Sequence, residues 1–247
     1  MNLSHKLLLG IILATVICKP ARSQVNDSAF VARVSANITD YFTASLRKGA
    51  PIYNGKEYYR KHPRFIEGEH AFFLASQYQT GTVTYEGYTY RNVELMYDLI
   101  RDELLLLHFD KETDIVLDPE KVDAFSFLGH NYINIKEAEA KRNNLSSGYY
   151  DLLYQGKIAL LAKRSKTVRE NITQAGVERS VSQHNRYYLL KDSVYTLLKN
   201  KKSLTKLLKS TQSRNQQYIK NNQLNFRNDT ENAMLDLVGY HDSITNK

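Results

Sequence analysis

Basic side chains gather towards the C-terminus at Lys199, Lys201, Lys202, Lys206, Lys209, Arg214, Lys220 and Arg227. A surface of this kind attracts phosphates, anionic lipid headgroups or acidic glycans, and its grip weakens as salt screens it. The cluster belongs to a lopsided charge distribution. Residues 24–156 hold 14 Lys/Arg against 19 Asp/Glu, a balance of −5, whereas residues 157–227 hold 16 against 3, a balance of +13. The competing reading is that these cations solvate outer helix faces and partly offset the acidic half. A second constellation is aromatic: Tyr85, Tyr88, Tyr90 and Tyr97 with Tyr149, Tyr150 and Tyr154. Such rings can line a cleft and stack on sugars or an apolar ligand, or pack a sheet with the hydroxyl at the rim.

Catalytic patterns do not emerge. His62, His70, His108, His130, His184 and His241 include no pair at the i, i+4 spacing of a helical metal site, and no His-Glu-x-x-His occurs. Glu69 and His70 are neighbours, and on an extended segment neighbours point to opposite faces. There is no Gly-x-Ser-x-Gly elbow. Ser203 and Lys206 match Ser-x-x-Lys, but Ser203 reads better as a helix cap. Asp102-Glu103 and Asp118/Glu120 resemble a glycosidase carboxylate pair only in composition, and both fall at expected turns. Glycine-rich phosphate loops are missing as well. The sequence therefore nominates no catalytic, cofactor-binding or metal-ligating residue.

The start of the chain points to export. Residues 1–6 supply a short positive segment, residues 7–17 a weakly polar to apolar run, and Ala21-Arg22-Ser23 a small-x-small cleavage pattern, so residues 1–23 read as a signal peptide. The run is too short to span a bilayer as a helix, and no later stretch is long enough. Lipidation of Cys18 is the alternative, although Ile17 before it is bulky for a lipobox. Cys18 is the sole cysteine, so the mature chain is expected to lack disulfides and thiolate sites. That absence suits a bacterial periplasmic, secreted or surface-associated protein, for which nucleic acid is a poor partner.

These residues need elements to position them, and the central half supplies short strands between tight turns. Turns are expected at Asn54-Gly55, Glu86-Gly87, Arg101-Asp102, Gly129-His130, Gln155-Gly156 and Lys191-Asp192, several with the glycine that two-residue hairpins require. Between them apolar and polar residues alternate, as in Val93, Leu95, Tyr97 and Leu99 against Glu94 and Asp98. Residues 104–107 are apolar on both faces and belong inside the sheet or under a cover. About ten strands joined in this way predict an antiparallel meander forming a curved sheet or half-barrel.

Helices flank it: an N-terminal one carrying Phe30, Val34, Ile38, Tyr41 and Phe42, and a C-terminal series. In that series Ser203 caps residues 204–209, a second helix spans 212–221, and Asn228 with Glu231 starts a third with the stripe Ala233, Met234, Leu237 and Val238. Residues 143–148 and 170–184 read as loops. The expected division is a signal at 1–23, a β-rich body at 24–198 and a basic helical segment at 199–247.

The stretches 201–209, 218–226 and 235–240, with Tyr53-Asn54-Gly55 and the run 81–101, resemble a pattern in uncharacterised exported proteins of Bacteroidetes-type bacteria, over about two thirds of the chain. The resemblance implies an envelope location and no established activity, and carries over no functional residue. Together these readings favour a non-enzymatic envelope protein. It binds or scaffolds through its β-rich surface, with the basic tail contacting an anionic lipid, glycan or envelope protein. A hydrolase of envelope polymers and a half-barrel carrier of lipid or lipoprotein are the alternatives.

Overall fold

The computed structural model describes residues 49–59, 62–174 and 176–245, so the expected signal peptide and N-terminal helix lie outside the described residues. A 3-10 turn at Pro51–Tyr53 leads into β1 (Lys56–Glu57), β2 (Gln79–Tyr85), β3 (Tyr88–Asp98), β4 (Glu103–Leu107), β5 (Asp114–Val116), β6 (Val122–Phe127) and β7 (His130–Ile135). After α1 (Glu137–Asn143) come β8 (Gly148–Gln155), β9 (Ala159–Thr173), β10 (Gly176–Lys191) and β11 (Val194–Leu198). Helices α2 (Lys201–Leu207), α3 (Gln212–Asn221) and α4 (Thr230–Thr245) follow. The protein is mainly β, one 11-stranded antiparallel sheet that does not close into a barrel, with C-terminal helices.

Turn chemistry sets the hairpins. Glu86-Gly87, Leu128-Gly129 and Asp192-Ser193 each place two consecutive residues at positive φ, the conformation that matches strand twist in a two-residue turn. The last two turns sit one residue away from the expected Gly129-His130 and Lys191-Asp192. Strand order is β1-β5-β4-β3-β2-β6-β7-β8-β9-β10-β11. The chain thus meanders from β2 out to β5, returns across residues 117–121, and meanders again from β6 to β11. Local pattern cannot foresee that reversal, because β6 looks alike whether it pairs with β5 or β2.

Aromatic contacts reveal how strongly the sheet curls. Tyr97 on β3 and Tyr149 on β8 are four strand steps apart, about 19 Å in a flat sheet, yet their ring centroids lie 5.6 Å apart. Lys163 on β9 reaches Asp102 in the β3–β4 turn at 2.5 Å. Only a sheet folded towards itself permits both. A backbone bond from Lys166 N–H to the Leu99 carbonyl (3.0 Å) also crosses the remaining gap.

Inside the curl lies a core that includes Phe73, Val83, Tyr85, Leu95, Tyr97, Phe125, Phe127, Tyr132 and Tyr149. β4 is buried on both faces, as its run of leucines predicts: Leu104 and Leu106 join this core, while Leu105 packs with Tyr58, Phe72 and Met96. α1, absent from the sequence reading, covers another cluster through Ala140 and ends at Asn144 with φ 53°. The C-terminal helices bury Leu204, Leu208, Ile219, Met234, Leu237 and Val238 with Leu160, Leu189 and Leu198 of the sheet.

One expectation is overturned. Residues 170–184 are not a loop but the outer half of an antiparallel ladder, paired from Ser165↔His184 to Thr173↔Gly176. The ribbon is largely exposed on both faces, so its sequence lacks the apolar alternation that marks a half-buried strand.

Candidate functional site

The basic segment folds because its short helices are firmly capped. Asn200, rather than Ser203, is the cap of α2: its side chain accepts from Ser203 N–H (3.0 Å), and Ser203 Oγ accepts from Asn200 N–H (3.1 Å). This reciprocal pair satisfies donors that a helix start otherwise leaves free. α3 spans the expected residues 212–221. Its exit is held by local bonds. Asn225 Oδ1 accepts from Arg227 and Asn228 N–H (3.1 and 3.0 Å), and Thr230 Oγ1 donates to the Phe226 carbonyl (2.8 Å).

Glu231 does not complete a box with Asn228. Its carboxylate instead takes Arg164 Nη1 and Nη2 at 2.9 and 2.8 Å and Tyr187 Oη at 3.1 Å, which ties the first turn of α4 to the sheet.

Between α2, α3 and this loop lies an open groove of about 460 Å³. Ile219, Leu224 and Phe226 form its apolar part, Gln223 and Asn225 add amides, and Lys201, Lys220 and Arg227 bring three cations to it. Lys201 Nζ sits 5.5 Å from the Phe226 ring centroid, which holds the ammonium beside the groove. Among the described residues no carboxylate lines it, and residues 199–227 contain no Asp or Glu. All eight basic residues singled out in the sequence are exposed. The structure brings Lys201, Lys220 and Arg227 together, while Lys199, Lys202, Lys206, Lys209 and Arg214 lie outside the groove lining. Three converging cations over an apolar floor can hold an anionic group attached to a hydrocarbon or ring.

The seven tyrosines are not brought to one cleft. Tyr85, Tyr90, Tyr97 and Tyr149 are buried in the core inside the curl, and Tyr150 is buried in the cluster beneath α1. Tyr154 packs with the C-terminal helices and donates to Asp242 Oδ2 (2.9 Å), whereas Tyr88 is 63% exposed at a hairpin. Burial pushes the Tyr97 and Tyr149 hydroxyls well above the ordinary phenol range, so both stay neutral.

Several histidines have internal partners. His62 Nε2 lies 2.6 Å from Asp98 Oδ2, His130 Nδ1 2.8 Å from Asp151 Oδ2, and His241 Nδ1 2.6 Å from Thr211 Oγ1. No cluster that could hold a metal occurs among the described residues. Asp102 receives Lys163 at 2.5 Å and the Tyr97 hydroxyl, an anchoring role for a residue of the first acid pair. Sequence reading missed the buried charges Asp98, Asp151, Lys163, Arg164 and Asp242. The available signal was Lys163-Arg164 directly continuing the apolar run 158–162. No family model, curated protein or solved structure matches the chain, so the chemistry of the groove is read from its own residues.

Proposed function

We propose that this is an exported, non-enzymatic binding or scaffolding protein that holds an anionic component of the bacterial envelope in the groove between α2, α3 and the α3–α4 loop. The observation that carries the reading is the convergence of Lys201, Lys220 and Arg227 on an apolar floor that no carboxylate lines among the described residues. Export is supported by the apolar run 7–17 and the small-x-small pattern that follows it. Among the described residues no helix is long and apolar enough to cross a membrane. The aromatic rings packed inside the curl favour an outer surface over the interior as the ligand site.

Truncating the tail cannot test this, because α2 to α4 bury much of a core. Point substitutions can. Cosedimentation with phosphatidylglycerol vesicles is expected for the protein and should fade with salt. The triple variant Lys201→Ala, Lys220→Ala, Arg227→Ala should lose about 1 kcal/mol per cation, on the order of a hundredfold in all. Lys209→Ala with Arg214→Ala, outside the groove, should retain more binding. Equal retention of the triple variant and the parent would sink the proposal.

A further inference from the structure

The outer half of the β9–β10 ribbon has an edge that the described residues leave open. Three bonds establish which backbone groups face outward: Val181 N–H donates to the Glu69 carboxylate, Ile66 N–H donates to the Arg179 carbonyl (2.9 Å), and Lys166 N–H donates to the Leu99 carbonyl (3.0 Å). Val181 faces Val168, Arg179 faces Glu170 and Lys166 faces Gln183. In an antiparallel ladder the two members of a facing pair direct their N–H and C=O groups either both inward or both outward. Lys166, Val168, Glu170 and Ile172 therefore present theirs outward on the β9 side. Leu99 caps Lys166. The groups of Val168, Glu170 and Ile172 have no backbone partner among the described residues. Proteins blunt such an edge with a bulge, a proline or charged side chains; β9–β10 contains no bulge or proline, and its charges on this edge are Lys166, Arg169 and Glu170.

We propose that this edge pairs with the same edge of a second copy of the chain, antiparallel, about a two-fold axis at Glu170. The side chains select this occupant and register. With Val168 opposite Ile172 of the second copy, one face of the resulting four-stranded sheet carries an unbroken row: Val181, Val168, then Ile172 and Val177 of the second copy. Symmetry repeats the row. It gives Ile172, 85% exposed in the single chain, a lateral neighbour in Val168 of the second copy. On the other face Ser180 and Arg169 continue into Asn171 and Glu178 of the second copy, so Arg169 meets a carboxylate across one intervening strand. The central row places the two Glu170 side chains together, each flanked by its own Arg179 at 2.7 Å. Shifting the axis to Asn171 sets Glu170 against Ile172, and shifting it to Arg169 sets arginine against arginine.

Sedimentation equilibrium of the purified protein tests this. A concentration-dependent monomer–dimer equilibrium is expected. Val168→Pro with Ile172→Pro removes two outward N–H groups and no ladder bond within the ribbon, so it should leave monomer at every concentration with an unchanged far-UV CD spectrum. Glu170→Gln removes the like-charge contact and should tighten the dimer roughly two- to fivefold. If the proline variant misfolds, Ile172→Lys decides in its place. A parent that stays monomeric, a dimer that withstands the edge substitutions, or a looser Glu170→Gln dimer overturns the proposal.

Discussion

Replacing Arg164 by methionine should destabilise the protein far more than replacing any of its partners by an isostere. Arg164 is 5% exposed and donates through Nε and Nη2 to Asp151 Oδ2 at 2.8 and 2.6 Å, and through Nη1 and Nη2 to Glu231 at 2.9 and 2.8 Å. The two carboxylates differ in what they can do without it. Glu231 has a side chain 27% exposed and keeps the Tyr187 hydroxyl, so water can replace the guanidinium. Asp151 has a side chain only 1% exposed and would keep His130 alone. Stranding a buried carboxylate in this way costs about 3–5 kcal/mol. Glu231→Gln, which leaves Arg164 paired with Asp151, should cost about 1–2 kcal/mol. Asp151→Leu combined with Arg164→Met removes both charges and should recover most of the loss, because the net value of a buried pair over an apolar replacement is small.

Urea and thermal melts followed by circular dichroism measure these differences. At roughly 2–4 °C per kcal/mol for a chain of this size, Arg164→Met should lower Tm by about 6–20 °C. Glu231 lies four residues beyond Arg227, so the same variant should also loosen the end of the groove and weaken vesicle binding. An Arg164→Met variant within about 1 kcal/mol of the parent, or a double variant no better than the single one, would rule out a stranded Asp151 carboxylate.

Gly148→Ala should cost about 2–4 kcal/mol in a thermal melt, because φ there is +111° and a Cβ would fall 1.9 Å from Asp102 Oδ2 and 2.6 Å from Lys163 Nζ; an unchanged Tm would mean that strand and turn do not approach so closely. Burial, helped by Lys191, holds the His241 imidazole below its ordinary range, so protonation opposes the fold. Stability should therefore be full above the unfolded value near 6.5 and fall as pH drops below it, with a slope of at most about 1.4 kcal/mol per pH unit. Urea melts at descending pH should show His241→Asn with a shallower decline, and an identical decline refutes the assignment.

What the sequence discloses and what it withholds divide along the range of the forces involved. Glu86-Gly87, the leucines of β4, the extent of α3 and the stripe Ala233, Met234, Leu237 and Val238 are decided within a few residues, and there local pattern suffices. The reversal between β5 and β6 is decided by long-range pairing, since β1 takes the edge of β5 and β6 takes that of β2. Tyr97, Tyr149 and Tyr154 look alike in sequence, yet the curl buries the first two among rings and Tyr154 is placed by α4. The outer ribbon failed as a strand signal for the opposite reason. Its residues need not choose a face, because neither face is buried beneath a layer of the described residues.

The lopsided charge shows the same division. Lys163, Arg164 and Lys166 on β9 turn towards acceptors of the acidic half: Asp102, Asp151, and the carbonyls of His70 and Phe72 at 2.9 and 2.6 Å. For them, offsetting an acidic body is an adequate account, and they hold the curl together. Lys201, Lys220 and Arg227 belong to the same basic stretch but form no ion pair with a described carboxylate. Burial makes the first set structural and hard to replace. Exposure around a groove leaves the second set free to meet an external anion, so substitutions there should alter binding while leaving the melt nearly unchanged.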